Sequence, residues 1–194
     1  MKKLFVAVLA LAFMVGCSDD TQKPATGEKA QSKSSPALTG RSGLQKCYIA
    51  ARGWAPDAKP YRLESQVSPE WKGQDGKAAA WRGGFASISL TGTRTFMWSE
   101  EEVSPGVQDA YSPSNTSTQV FDFGFLKVDS DQAVATANKH GGDKIIEQDK
   151  NTNVFYILDW DHRNNLLVWH VIYGPDPDDA RLRVAVNATT GDFI

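Results

Sequence analysis

Few side chains in this sequence have the type and spacing for chemistry. Asp159 and His170 lie on two consecutive predicted strands, and a two-residue turn at Asn164-Asn165 sets them opposite each other. A carboxylate beside an imidazole orients the ring and favours its charged form. A hydrolytic triad also needs a nucleophile beside the pair, and the sequence places none. The plainer reading is a histidine satisfied by its sheet neighbours. Asp159-Trp160-Asp161 opens like a calcium loop. The pattern then fails, with Asn164 where the sharp turn needs glycine and His170 where a bidentate glutamate belongs. Asp176, Asp178 and Asp179 fall in a proline-broken hairpin loop and read as solvated. His140 ends a helix, where the macrodipole favours a cation. Asn115-Thr116-Ser117 and Asn187-Ala188-Thr189 fit only the bare glycosylation pattern. There is no H-E-x-x-H, C-x-x-C, G-x-S-x-G or phosphate-binding glycine loop. The sequence therefore assigns no catalytic residue, no metal ligand and no cofactor, and the chain is expected not to be an enzyme.

The two cysteines have separate settings. Cys47 shares a helical stripe with Leu44, Tyr48 and Ala51, so burial as a small apolar residue is expected. Cys17 follows a leader. Lys2 and Lys3 precede an unbroken apolar run from Leu4 to Met14. That run is shorter than the ~20 residues a membrane-spanning helix needs, and it matches a secretory h-region. Ser18, Asp19 and Asp20 follow at once, which argues against a permanent span. An ordinary cut after Ala10-Leu11-Ala12 would fall inside the apolar run.

Met14-Val15-Gly16-Cys17 resembles the lipobox of bacterial lipoproteins, with Met14 where leucine is usual. The resemblance implies cleavage between Gly16 and Cys17 and a diacylglycerol thioether plus an N-acyl chain, such as palmitate, on Cys17. Two or three chains anchor firmly where one does not. It also implies a cell-envelope protein. Ser18, rather than aspartate, after the lipidated cysteine implies the periplasmic side of the outer membrane if the organism has one. Residues 17–40 are rich in Ser, Thr, Lys, Pro and Gly and nearly devoid of apolar side chains. They read as a disordered, flexible tether.

The 194-residue chain has 21 basic and 23 acidic residues, a formal charge of −2. Loss of Lys2 and Lys3 with the leader deepens the deficit. That excludes the basic face of a nucleic-acid binder and a polybasic lipid-binding patch. The six Trp and five Tyr all follow the tether, enough for a sizeable core.

The rest reads as α+β, in two units of similar plan. In residues 41–128, Ser42 caps a helix over 44–52 that Gly53 and Pro56 end. Strands are expected at 61–67, 76–89 and 93–99, a long loop at 100–118, and a strand at 120–128. In residues 129–194, Asp129 or Ser130 caps a helix to about His140, stopped by Gly141-Gly142. A short strand over 143–149 and strands over 154–160, 166–173 and 182–188 follow. Alternation gives the second sheet two faces. Tyr156, Leu158, Trp160, Leu167, Trp169, Val171, Tyr173, Leu182, Val184 and Val186 share the face the helix should cover. Phe155, Ile157, Asp159, Val168, His170, Ile172, Arg183 and Asn187 share the other. That face is too apolar to stay simply wet. Packing of the first unit on it is expected, with a ligand or partner as the alternative.

Trp169 and Val171, then Val184 and Val186, then Ala188, Thr190 and Gly191 resemble the end of a PepSY domain. Asn187 stands where that family usually has Asp. The match covers about residues 129–194, with the first unit a divergent second copy. The resemblance implies a PepSY-like, cystatin-like helix-plus-antiparallel-meander fold. It also implies a non-catalytic binding module that restrains a peptidase or holds another protein. Two alternatives are kept. One is an envelope structural lipoprotein contacting another subunit or cell wall, and the other is a hydrolase using His170 and Asp159.

Overall fold

The computed structural model describes residues 36–194. The leader, the lipobox with Cys17 and most of the tether lie outside the described residues. The regular structure begins earlier than expected. Strand β1 (Leu38–Thr39) pairs antiparallel with β3 (Lys77–Ala78), and helix α1 runs from Gly40 to Trp54.

Helix α1 is longer than its apolar stripe suggests, because another part of the chain satisfies its first turn. Ser42 is not the cap. Thr39 holds that position without a side-chain cap bond. The Gly40 N–H donates to Ser130 Oγ at 2.7 Å and the Arg41 N–H to Asp129 Oδ1 at 2.8 Å. Gly53 stays inside the helix, which ends at Trp54 with Ala55 as its C-cap. Leu44, Cys47 and Ala51 are fully buried beneath it.

Four strands follow as a meander: β2 (Lys59–Gln66), β4 (Ala80–Ser87), β5 (Gly92–Ser99) and β6 (Glu102–Ala110). Strand β6 takes up the first half of the expected 100–118 loop. Its hairpin turns through Glu100 and Glu101, both at positive φ (51° and 67°). A Glu-Glu pair there lacks the Asn-Gly signal by which such turns are usually recognised. The expected strand over 120–128 does not form. That stretch holds a single-turn 3-10 helix at Phe123–Phe125, and Phe121 N–H donates to Pro60 O. Phe121 is buried while Phe125 lies exposed against Trp160, with centroids 5.3 Å apart.

Helix α2 (Ser130–Ala137) opens with the expected cap, Asp129, in a capping box with Gln132. Gly141-Gly142 bend the helix rather than end it. The chain passes through a wide turn at Asn138–Gly142, with Gly141 at φ 113°, and continues as α3 (Asp143–Gln148). The strand expected over 143–149 is therefore a helix, with Ile145 and Ile146 packed against the core. A Cβ at Gly142 would lie 2.3 Å from the Tyr173 hydroxyl. That hydroxyl donates to Asn138 Oδ1 at 2.7 Å.

Strands β7 (Asn153–Asp161), β8 (Leu166–Gly174) and β9 (Leu182–Asn187) complete the fold. All pairings are antiparallel, and one seven-stranded sheet runs β6-β5-β4-β2-β7-β8-β9. The two meanders join at its centre, where Leu63 pairs with Leu158. The described residues, 36–194, fall within one compact unit. The plan is α+β, a helix and an antiparallel meander used twice. The first half extends the second sheet edge to edge and does not pack on its second face.

Helices α1 and α2 cover one side. Leu44, Cys47 and Ala51 from α1 and Ala133, Val134 and Ala137 from α2 meet Trp81, Tyr156 and Trp169 in a single core. Gly43 lets α1 approach closely, since a Cβ there would lie 2.4 Å from the Trp81 ring. The sheet edges are β6 and β9. The C-terminal tail covers β9 through a Val186–Phe193 bridge and an Ile194 N–H to Ala185 O bond. Strand β6 carries Pro105 and a register shift opposite Arg94–Phe96. Among the described residues, no helix lies on the opposite sheet face.

Candidate functional site

Strand alternation sends every second side chain of the sheet to that open face. In one row Arg82 on β4 pairs with Glu64 on β2, and Glu64 with Ile157 on β7. In the next row Arg62 pairs with Asp159. The side chains interlock diagonally. Arg62 Nε donates to Glu64 Oε1 at 2.5 Å and its Nη1 to Asp159 Oδ2 at 2.8 Å. Arg82 donates to Glu64 Oε2 through Nε at 2.9 Å and also through Nη2. His170 Nε2 lies 3.0 Å from Asp159 Oδ1. The result is a ladder of alternating charge across three strands, Arg82–Glu64–Arg62–Asp159, with His170 of β8 in contact with its Asp159 end.

Glu64 is its most sheltered member, its side chain 17% exposed. Burial alone would raise its pKa. Hydrogen bonds and attraction from Arg62 and Arg82 outweigh that and hold the carboxyl below its ordinary value. The sign of the pH effect follows. A depressed folded pKa contributes stability that is present above the unfolded value of about 4.3 and is lost as pH falls through the folded one. Glu64→Gln should destabilise at neutral pH by about 1–2 kcal/mol, the lower range for charge-assisted bonds, since both guanidiniums are partly solvated. It should also flatten the acid limb of stability, as read by denaturant titrations from pH 7 to pH 3.

The expected face residues do share this surface. Phe155, Val168 and Ile172 are buried in it, while Ile157, Asp159 and His170 are partly exposed. The link between β7 and β8 is a four-residue loop, not an Asn164-Asn165 turn. It sets Asp159 opposite Val168 and His170 opposite Ile157, so the Asp159–His170 contact forms on the diagonal. Asp159 spends its second oxygen on Arg62, and among the described residues no hydroxyl hydrogen-bonds to His170. Asp161 accepts from the N–H groups of Arg163 and Asn164 and closes the loop. Asp176 does the same for Asp178 and Asp179, and Asn187 for Thr189 and Thr190. His140 stacks on Phe193, centroids 4.1 Å apart. Among the described residues no cluster of three or more metal-ligating side chains assembles.

Local spacing does not single out Arg62, Glu64 and Arg82, because the ladder exists only when β2 joins the two meanders. The available signal was period two: Arg62 and Glu64 alternate with Leu63 and Ser65 on a predicted strand.

Cys47 is fully buried, its thiol 3.3 Å from Phe96 O. Burial pushes its pKa up to about 11, which suppresses the nucleophilic thiolate. Cys47 should resist a water-soluble thiol reagent in the native protein and react in denaturant. Labelling of the folded chain from Ser18 onward, whose one cysteine is Cys47, at the denatured rate would contradict this.

No family model matches the chain, and no curated protein matches it. A solved structure does. A Clostridium difficile 630 protein provisionally described as a lipoprotein (CD1622) is similar in fold, with a TM-score of 0.50 and 13% identity. The alignment covers 76% of this chain and 90% of that one. At that identity the likeness concerns the fold alone. Among the described residues no helix is long and apolar enough to cross a membrane.

Proposed function

We propose that this chain is a lipid-anchored binding module of the cell envelope, acting by contact with another protein and without catalysis. The observation that carries the reading is the open sheet face. A one-sided sheet normally turns a polar, solvated surface to water. Here that surface holds a cross-strand charge network beside the apolar Phe155 and Ile157, a combination suited to specific polar recognition. The lipobox-like Met14-Val15-Gly16-Cys17 supports the anchor. Ser18 supports the periplasmic side of an outer membrane. The C-terminal PepSY-like residues support restraint of a peptidase as the form the contact takes.

Two experiments test the parts separately. Cys17→Ala should move the protein from the membrane fraction to the soluble one and end incorporation of a palmitate analogue. Unchanged fractionation would remove the anchor. The unlipidated chain from Ser18 onward, immobilised and exposed to solubilised envelope of its own organism, should retain a specific protein. A folded bait that retains nothing above control would remove the binding module.

The Asp159–His170 contact at 3.0 Å favours a second reading, a hydrolase. It requires an activity that His170→Ala abolishes with the fold intact.

A further inference from the structure

The ladder leaves part of the open face unfilled. A concavity of about 340 Å³ lies between strands β2, β4 and β7 and the 175–180 loop, with Pro177 and Asp178 in its wall. Arg62, Arg82 and Arg183 line it with two carboxylates, Glu64 and Asp178, and Arg62 also holds Asp159 at 2.8 Å. Its hydrogen-bonding capacity is one-sided. Both Glu64 oxygens are already taken by Arg62 and Arg82. Each guanidinium has five N–H donors and no acceptor. Among the described residues Arg62 Nη2, Arg82 Nη1, and Arg183 Nε and Nη1 donate to nothing. Arg183 is steadied by donating Nη2 to Pro177 O. Phe155 and Ile157 add apolar lining.

We propose that this concavity binds a carboxylate carried on a peptide segment with an apolar neighbour. The unused nitrogens, one each on Arg62 and Arg82 and two on separate edges of Arg183, are charge-assisted donors that reach a carboxylate's two oxygens from different arginines, and the apolar neighbour rests on Phe155 and Ile157. The inference deepens the binding-module reading and rests on it. The carboxylate comes from an acidic side chain or from a chain end, and the two share the same chemistry.

Three peptides separate the cases: acetyl-Leu-Glu-Leu-amide, acetyl-Leu-Gln-Leu with a free terminal carboxylate, and acetyl-Leu-Gln-Leu-amide. Each is titrated to millimolar concentration into the isotope-labelled chain from Ser18 onward, following arginine Nε–H resonances. At least one carboxylate peptide should shift those of Arg62, Arg82 and Arg183 saturably, about tenfold tighter than the blocked control. Which peptide does so identifies the source. Arg183→Glu, an exposed change, should abolish the shift. Equal binding of the control, no saturable shift with any peptide, or undiminished binding by Arg183→Glu would overturn the site. Envelope capture repeated with the Arg183→Glu bait separates the two levels. A partner retained equally by both baits overturns the carboxylate site and leaves the binding module standing. A partner retained by the unaltered bait alone supports both.

Discussion

Trp169→Ala is expected to lower stability by about 3–5 kcal/mol, the range for truncating a buried large aromatic. At this chain length that moves the thermal midpoint down by on the order of 10 °C. Trp169 is fully buried at the centre of β8. Its ring meets Trp81 from the first meander edge-on, with centroids 6.4 Å apart, and Tyr156 at 90°. Its Nε1–H donates to Val128 O at 2.9 Å, so truncation also strands a carbonyl. The ring crosses the joint between the halves as well: a Cβ on Gly40 of α1 would lie 2.4 Å from it. Loss should therefore loosen both halves in one cooperative step. Denaturant unfolding followed by tryptophan fluorescence and by far-ultraviolet circular dichroism should give a single coincident, shifted midpoint. Two separated transitions would show that the halves are held independently.

Ser130→Ala should cost about 2–3 kcal/mol although it removes one atom. Ser130 is fully buried. Its hydroxyl accepts from Gly40 N–H at 2.7 Å and donates to Gly76 O at 2.5 Å. Alanine leaves a donor and an acceptor buried without partners, at about 1–3 kcal/mol for such a group. The site has no room for repair. Gly76 sits at φ +82°, and a Cβ there would lie 2.3 Å from Asp131 Cα. Hydrogen exchange should show α1 losing protection at its first turn before its last. A loss below about 0.5 kcal/mol, the surface-substitution range, would mean that water replaces both bonds.

Much of the second half was legible because its strands alternate strongly. The faces of Val154–Trp160 and Leu166–Tyr173 follow from period two alone, and the register error at Asn164-Asn165 leaves parity unchanged. The boundaries that failed are those set by distant parts of the chain. Helix α1 starts at Gly40 because Ser130 and Asp129 receive its N–H groups. Strand β6 exists because β5 offers an edge, across a turn that two glutamates adopt at positive φ. Ile145-Ile146 reads as strand by propensity and is helical through its contact with the core. The candidate site was half legible. Asp159 and His170 came from local spacing, whereas Arg62, Glu64 and Arg82 are brought to them by the β2–β7 joint.

The unequal treatment of the two sheet edges bears on life at a surface. On the lipid-anchored reading, copies of the protein share a plane and meet side by side far more often than in free solution. An uninterrupted strand edge under that confinement would template sheet growth from one copy to the next. The tail seals one border with Phe193 and Ile194. On the other border Pro105 withholds a donor and the register shift bends the strand. Crowding can then raise the local concentration of the open sheet face without stitching its bearers into a fibre.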